Sequence, residues 1–351
     1  MTKLINTFDY EKEAQKRMPE QFFGYYAGGA ADEITLRENR SVFDRLKLRP
    51  RVLTDVSHRT LETTILGHST AMPMIIAPMA MAQLADPGGE VAIAQAAKNA
   101  GITQCVSILS NASLEEVAAV GAISWFQVYL YKDRHITQRI VERATAAGYQ
   151  ALVLTVDVAV SGVRENMLRM GLQLPPGLIL KNFAEFHNTQ ATEILPYVNS
   201  QFDPSLTWDD LAWLRSITDL PILVKGILRG DDARRAADCG VTGIIVSNHG
   251  GRQLDTAVTC IDALPEVVAA VGADIDIFVD GGFRRGTDIV KAMALGARAI
   301  LVGRPVLWGL AVGGQEGVER VLTILRREFD SALALCGYAS VADIRPDLLV
   351  R

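Results

Sequence analysis

The chain has 351 residues, with 35 Lys and Arg against 40 Asp and Glu for a formal net charge of −5, and 49% of it is hydrophobic against 21% charged. That composition excludes a disordered chain, and a mildly acidic balance argues against nucleic acid as partner, because phosphate binding favours a basic surface. The length suits one α/β barrel domain with insertions, so residues 1–351 are read as a single domain.

In chain order, Met1 to Glu13 mixes Lys, Asp and Glu and lacks the apolar core of a secretion signal. Residues 1–72 precede any regular alternation and are expected to pack as helices across the domain, with Tyr25-Tyr26-Ala-Gly-Gly29 able to reach its functional face. From residue 73 to 351, short apolar runs recur, each followed by a turn and an amphipathic segment, which is βαβ grammar. The runs are Met74 to Ala77, Thr103 to Ser107, Trp125 to Val128, Ala151 to Val156, Ile222 to Lys225, Gly243 to Val246, Ile275 to Val279 and Ala299 to Val302. Between them the pattern predicts helices at Glu90 to Ala100, Ser113 to Val120, His135 to Ala147, Asp231 to Ala237, Ile261 to Val271 and Thr287 to Leu295. Ser113-Leu-Glu-Glu116 has capping-box form.

Eight alternations predict a closed (β/α)₈ barrel of the TIM type rather than a doubly wound sheet, and no G-x-G-x-x-G follows the first strand. One interval is out of rhythm: residues 161–205 contain Pro175-Pro176 and few periodic positions, and are expected to form a mobile lid loop. The most apolar stretch, Gly296 to Gly314, is broken by Arg298, Arg304 and Pro305, so it reads as a buried strand and turn, not a membrane span. Cys105, Cys239, Cys260 and Cys336 lack C-x-x-C spacing and sit in apolar runs, the pattern of buried reduced thiols. A cytoplasmic protein with no membrane contact is the expectation.

A barrel of this kind carries its site at the carboxyl ends of the strands. Here those ends are polar: Ala77-Pro78-Met79-Ala80, Ser107, Gln127-Val-Tyr129, Thr155-Val-Asp157, Lys225, Ser247-Asn-His249-Gly-Gly-Arg252, Asp280-Gly281-Gly282-Phe283-Arg284 and Gly303-Arg304. The last two combine close backbone approach with arginines, after strands seven and eight, and predict a phosphate clamp. Lys225 ends an apolar strand, where it serves either as a Schiff-base nucleophile or as a charge facing a hydrogen-bonded planar heterocycle. The company of Ser107, Gln127 and Thr155 favours the heterocycle. Of five histidines, His249 alone stands in a strand-end turn, with Arg252 three residues on and Asp157 closing another strand. His58, His68, His135 and His187 read as solvated or loop residues, and no second His or Cys at ligand spacing points to a metal.

Ser247-Asn-His-Gly-Gly-Arg-Gln-Leu-Asp255 resembles the FMN-dependent L-2-hydroxy acid oxidase/dehydrogenase family, which includes glycolate oxidase, lactate oxidase and mandelate dehydrogenase. The likeness extends through Tyr25-Tyr26-Ala-Gly-Gly-Ala, Ile76-Ala-Pro-Met-Ala-Met81, Phe126-Gln-Val-Tyr-Leu-Tyr-Lys-Asp-Arg134, Leu154-Thr-Val-Asp157, Pro221-Ile-Leu-Val-Lys-Gly226, Asp280-Gly-Gly-Phe-Arg-Arg-Gly286 and Val302-Gly-Arg-Pro305. It covers nearly the whole chain, the lid least. The resemblance implies His249 as catalytic base polarised by Asp157, Arg164 and Arg252 on the substrate carboxylate with help from Tyr25, and Tyr129 on the substrate oxygen. It implies FMN contacts at Ala77, Pro78, Met79, Ala80, Ser107, Gln127, Thr155 and Ser247, and Lys225 at the flavin N1/O2 edge. The phosphate falls to Asp280, Gly281, Gly282, Phe283, Arg284, Gly303 and Arg304.

The implied activity is oxidation of a small L-2-hydroxy acid, lactate or glycolate in size, with O₂ as acceptor giving H₂O₂, by a homotetramer or homo-octamer. The alternatives are a dehydrogenase passing electrons to a quinone, and a different FMN barrel such as an isomerase. The sequence departs from the family pattern in two places. Asp157-Val-Ala-Val-Ser-Gly-Val-Arg164 replaces the usual Asp-Thr-Pro before Gly-x-Arg, and Leu109 stands where glycolate oxidases carry tryptophan. Ala80 resembles the oxidase members.

Overall fold

The computed structural model describes residues 3–186 and 191–350. Three helices come first, α1 Thr7–Arg17, α2 Glu20–Ala27 and α3 Ile34–Arg45, as expected of the N-terminal segment. Each apolar run then forms a strand: β1 Met74–Ile76, β2 Thr103–Ser107, β3 Ser124–Val128, β4 Leu152–Thr155, β5 Ile222–Ile227, β6 Gly243–Val246, β7 Asp276–Val279 and β8 Ala299–Val302. All neighbouring strands pair in parallel, and β8 returns to β1 with Ile300 opposite Met74 and Val302 opposite Ile76. The fold is therefore a closed (β/α)₈ barrel.

Side chains alternate along a strand, so each strand feeds two cores. One set, including Ile75, Cys105, Trp125, Val153, Leu223, Ile245, Phe278 and Leu301, fills the barrel interior, where Trp125 meets Phe278 edge-on with ring centroids 5.5 Å apart. Ile65, from the hairpin Thr63–Ile65 and His68–Thr70 that precedes β1, joins this cluster. The other set packs under the surrounding helices α4 Gly89–Ala100, α5 Leu114–Ala118 and α6 Arg134–Ala146. At the start of α5, Ser113 Oγ accepts from the Glu116 amide at 3.2 Å while Glu116 Oε2 accepts from the Ser113 amide at 2.7 Å, so the capping box is complete.

Two regions differ from expectation. The 161–205 segment, read as an aperiodic loop, carries α7 Glu165–Met170 and α8 Ala191–Gln201. Pro196 lies inside α8 and α7 is barely two turns, so neither shows a sustained apolar period. Residues 187–190 of this segment, His187 among them, lie outside the described residues. Asn182 ties the segment down: its Oδ1 accepts from the Leu114 amide, and its Nδ2 donates to Ile108 O and Ser110 Oγ.

The second difference concerns Gly296 to Gly314, where β8 is followed by a helix from Arg304 rather than by a turn. Pro305 occupies the first helical turn, where the missing N–H has no intrahelical partner to lose. With α9 Asp209–Ser216, α10 Gly230–Asp238, α11 Cys260–Val271 and α12 Gly286–Ala294, α13 (Arg304–Leu335, interrupted at Gly313-Gly314) completes the outer layer. All four cysteines are free thiols, and Cys239 is only half-buried. His58 and His135 are exposed as expected, whereas His68 is half-buried in the hairpin. Among the described residues no helix is long and apolar enough to cross a membrane.

Candidate active site

The inward-facing parity that places Ile75, Cys105, Trp125, Val153, Leu223, Ile245, Phe278 and Leu301 inside the barrel falls, two residues later, on Ala77, Ser107, Gln127, Thr155, Lys225, Ser247, Asp280 and Gly303. A period of two thus converts an apolar interior into a polar floor at the carboxyl end. Lys225 Nζ donates to Ser247 Oγ at 2.7 Å and lies 3.1 Å from Asp280 Oδ2, to which Ser247 Oγ also donates at 2.8 Å. Burial alone would discharge this lysine, but Asp280 and Asp157 outweigh it and hold the ammonium above its ordinary range. A Schiff-base nucleophile needs the free amine, which these carboxylates disfavour. Gln127 Oε1 accepts from Ser107 Oγ, leaving the buried Nε2 without a partner.

Beyond β6 the chain enters the left-handed region at three successive residues, His249 (φ 57), Gly250 (φ 65) and Gly251 (φ 75). For a histidine this backbone is strained, which marks a position held by its surroundings. The His249 amide donates to Ser247 Oγ at 3.0 Å, and the ring Nδ1 lies 2.9 Å from Asp157 Oδ1. Burial pushes the imidazole below its ordinary value, and Asp157 reverses only part of that; Asp157 itself, despite burial, is held below the usual carboxylate range by His249 and Lys225. The pair at rest is therefore neutral imidazole beside carboxylate, with Nε2 left for the cleft.

Four guanidinium groups, of Arg164, Arg252, Arg284 and Arg304, share the cleft lining with His249. α2 ends beside the site, and its last carbonyls, which have no intrahelical donor, take Arg252 and Arg304 instead. Arg252 donates to Tyr25 O at 2.7 Å and Gly28 O at 3.0 Å and stacks 5.1 Å over the Tyr25 ring. Arg304 donates to Tyr26 O, Gly28 O and Gly250 O. None of these acceptors carries charge, so burial and then Arg164 pull Arg252 down to about 10, and burial and then Arg252 pull Arg304 down to about 9. Burial likewise lowers Arg284, whose guanidinium lies 3.9 Å from Glu11. Arg164 Nε is buried without a partner.

Among the described residues, the four arginines and Lys225 face Asp157, Asp280, Glu11 and Asp288, the last already paired with Arg40, so positive charge remains in excess and asks for anionic ligands. FMN fits these residues: Arg284 and Arg304, beside Gly281 (φ 94) and Gly282 (φ 79), would hold its phosphate, and Gln127 Nε2 and Lys225 would donate to acceptors on its heterocycle.

Of the residues singled out by sequence, Tyr25, Ala77, Pro78, Met79, Ala80, Ser107, Gln127, Tyr129, Thr155, Arg164, Lys225, His249, Arg252, Asp280 to Arg284, Gly303 and Arg304 all line one cleft. Asp157 and Ser247 do not; each acts through a hydrogen bond to a residue that does. Tyr26 and Val158, in segments the sequence reading placed near the site without giving either a role, also line the cleft, and the Tyr26 hydroxyl donates to Met81 O; Met167, Asn199 and Phe202 were missed. Phe202 packs edge-on against Tyr129 at 4.9 Å. Nothing local marks Asn199 or Phe202, because both come from the end of α8 and its exit.

The family model described as FMN-dependent dehydrogenase matches residues 14–351. The chain is 52% identical to an L-lactate oxidase of Nostoc sp., covering 98% of each, and 47% identical to glycolate oxidase 1 of Oryza sativa subsp. indica, covering 98% of this chain and 95% of that one. Among solved structures, mandelate oxidase superposes with a TM-score of 0.93 at 43% identity, over 99% of this chain and 98% of that one. A variant of an active chimera of (S)-mandelate dehydrogenase superposes with a TM-score of 0.93 at 42% identity over 99% of both chains. With these likenesses running the length of the chain, and with a cleft that fits the cofactor, the protein belongs to the FMN-dependent dehydrogenase family.

Proposed function

We propose that this protein oxidises a small L-2-hydroxy acid, of lactate or glycolate size, to the 2-oxo acid, with O₂ as final acceptor and H₂O₂ as product. The observation that carries this reading is that His249, bonded behind to Asp157, shares one cleft with Arg252 and Arg164. Two guanidinium groups suit a substrate carboxylate, and a neutral base suits the adjacent carbon bearing the hydroxyl. Oxidation breaks one C–H and one O–H bond and forms C=O. His249 Nε2 takes a proton, either from the hydroxyl as the C–H hydrogen leaves as hydride or from the carbon itself with the hydroxyl proton lost afterwards, and Asp157 stabilises the imidazolium so formed. Tyr129, its phenol kept protonated by burial, holds the substrate oxygen, and Tyr25 supports the carboxylate. Bound FMN supplies the two-electron acceptor, and Lys225 provides fixed positive charge for it.

Leu109 lines the cleft where glycolate oxidases carry tryptophan, which supports a pocket that admits lactate or a longer side chain. Residues 161–205 supply Arg164, Met167, Asn199 and Phe202 to the cleft, which supports a lid that closes over substrate. Cytoplasmic location and a homotetramer or homo-octamer belong to the same reading. A second reading, a dehydrogenase passing electrons to a quinone, draws support from the likeness to (S)-mandelate dehydrogenase. An isomerase that relies on a catalytic cysteine has no support, since no cysteine is among the described lining residues.

The test is anaerobic mixing with L-lactate, glycolate and (S)-mandelate, followed by exposure of the reduced protein to O₂ or to a soluble quinone. Bleaching of the flavin by a 2-hydroxy acid and peroxide release on aeration is the expected result. Absence of bleaching with all three acids overturns the reaction class, and reoxidation by quinone alone selects the second reading.

A further inference from the structure

Helix α3 contributes nothing to the described cleft lining, yet it touches both loops on which the site depends. Asn39, at its centre and 2% exposed, forms a reciprocal amide pair with Asn248: each Nδ2 donates to the other's Oδ1 at 2.8 Å. Asn248 immediately precedes His249. Its Oδ1 also accepts from the Gly251 amide at 3.1 Å, which closes the left-handed turn, and its Nδ2 also donates to Val258 O. One turn earlier on α3, Thr35 Oγ1 donates to Ala257 O at 3.2 Å, downstream of that turn. On the other side, the Asn39 carbonyl lies where a Cβ on Gly282 would sit, and Arg40 donates to Gly282 O at 3.0 Å.

Three successive left-handed residues, one of them a histidine, persist only when neighbours fix them. Asn248 is the side chain that bridges the turn, and Asn39 saturates it: without Asn39, one donor and one acceptor of a buried amide are left open, and the amide is held only by its longer bonds from Gly251 and to Val258.

We propose that Asn39 is a positioning residue: its amide pair with Asn248 fixes the turn that aims His249 into the cleft. The proposal rests on the reading of His249 as the base. It separates aim from cofactor binding, since the contacts of α3 with Gly282 run through the Asn39 main chain and through Arg40 and survive loss of the Asn39 side chain, which meets that loop only by packing beside Gly281. It also has a pH signature. The charged groups around His249 are Asp157 from the end of β4, Arg164 beyond it, and Lys225 from β5. None of them changes in an Asn39 variant, so a shifted titration reports altered burial of the ring.

The experiment compares FMN-loaded Asn39→Ala and Asn39→Ser with Thr35→Ala and with His249→Gln. In Asn39→Ala, flavin reduction at saturating L-lactate falls on the order of 10- to 100-fold, the scale expected of a misaimed reacting group. Substrate affinity and the FMN affinity of the apoprotein, measured by fluorescence titration, stay near wild type. The acid limb of the reduction rate moves to higher pH as water reaches the imidazole. Thr35→Ala lowers the melting temperature and leaves rate and limb unchanged. Should Asn39→Ala fail to fold, Asn39→Ser, which keeps a polar group without the reach, carries the same expectation in weaker form. Wild-type rate and limb in the Asn39 variants, alongside an inactive His249→Gln, overturn the role of Asn39 alone, as does a Thr35→Ala variant that reproduces the rate loss. A His249→Gln protein that reduces its flavin at the wild-type rate removes the base assignment and this role together.

Discussion

His249 is where a change of one side chain separates chemistry from binding. Its ring meets Asp157 and its amide meets Ser247. His249→Gln is expected to retain FMN and to lose flavin reduction by at least about 10²- to 10⁴-fold, the usual worth of a positioned general base; stopped-flow absorbance under anaerobic conditions reads both properties. The ring must be neutral to accept a proton, and burial sets its pKa below the ordinary 6.5. Reduction should therefore hold as pH falls past that value and decline only in more acidic buffer. Asp157→Asn removes the anion that favours imidazolium, so the limb should move to still lower pH while the rate at neutral pH drops; a limb that moves upward contradicts the assignment. Arg252→Met should weaken substrate affinity as well as turnover, because the carboxylate loses a charge-assisted partner. These residues were legible in sequence because each closes an apolar strand or stands in the turn beyond one. Asn39 was not, since its partner Asn248 lies 209 residues away.

At the level of elements, the turns between strand and helix carry the site, and their tolerances differ. The Ser113 box caps α5 away from the chemistry, so Ser113→Ala should cost about 1 kcal/mol of stability and leave flavin reduction intact. Gly282 offers no such latitude. An added Cβ would lie 1.8 Å from the Asn39 carbonyl, and its φ of +79° strains any side chain. Gly282→Ala is expected to lower FMN affinity sharply, as seen by fluorescence titration of the apoprotein; unchanged affinity would show that the loop can move away from α3 without cost. The 161–205 segment tests the proposed lid. Hydrogen exchange in α7 should slow when the 2-oxo acid pyruvate is added, while that in α4 should not change. The periodicity that located the barrel helices failed here because Pro196 sits within α8 and α7 spans six residues.

For the molecule as a whole, the excess of buried cations means that the apoprotein carries repulsion which FMN relieves. Ligand linkage then gives about 2.7 kcal/mol of added stability at a hundredfold excess over Kd. Thermal melts with and without FMN should show that gain, and Arg284→Met should remove much of it by loss of a charge-assisted bond to phosphate; equal gains in both proteins would place the phosphate elsewhere. The sequence by itself determined the barrel, because eight apolar runs separated by amphipathic segments bury their faces in only one closed arrangement. It determined the polar floor as well, since a period of two fixes which residue ending each strand points inward. Only the tertiary structure decided how these groups are held. The carbonyls that end α2 receive Arg252 and Arg304, Asn39 locks the turn of His249, and Phe202 walls the cleft against Tyr129. Such contacts join segments far apart in the chain, where no local period records the partner, and they form only once the barrel has closed and brought its loops to one end.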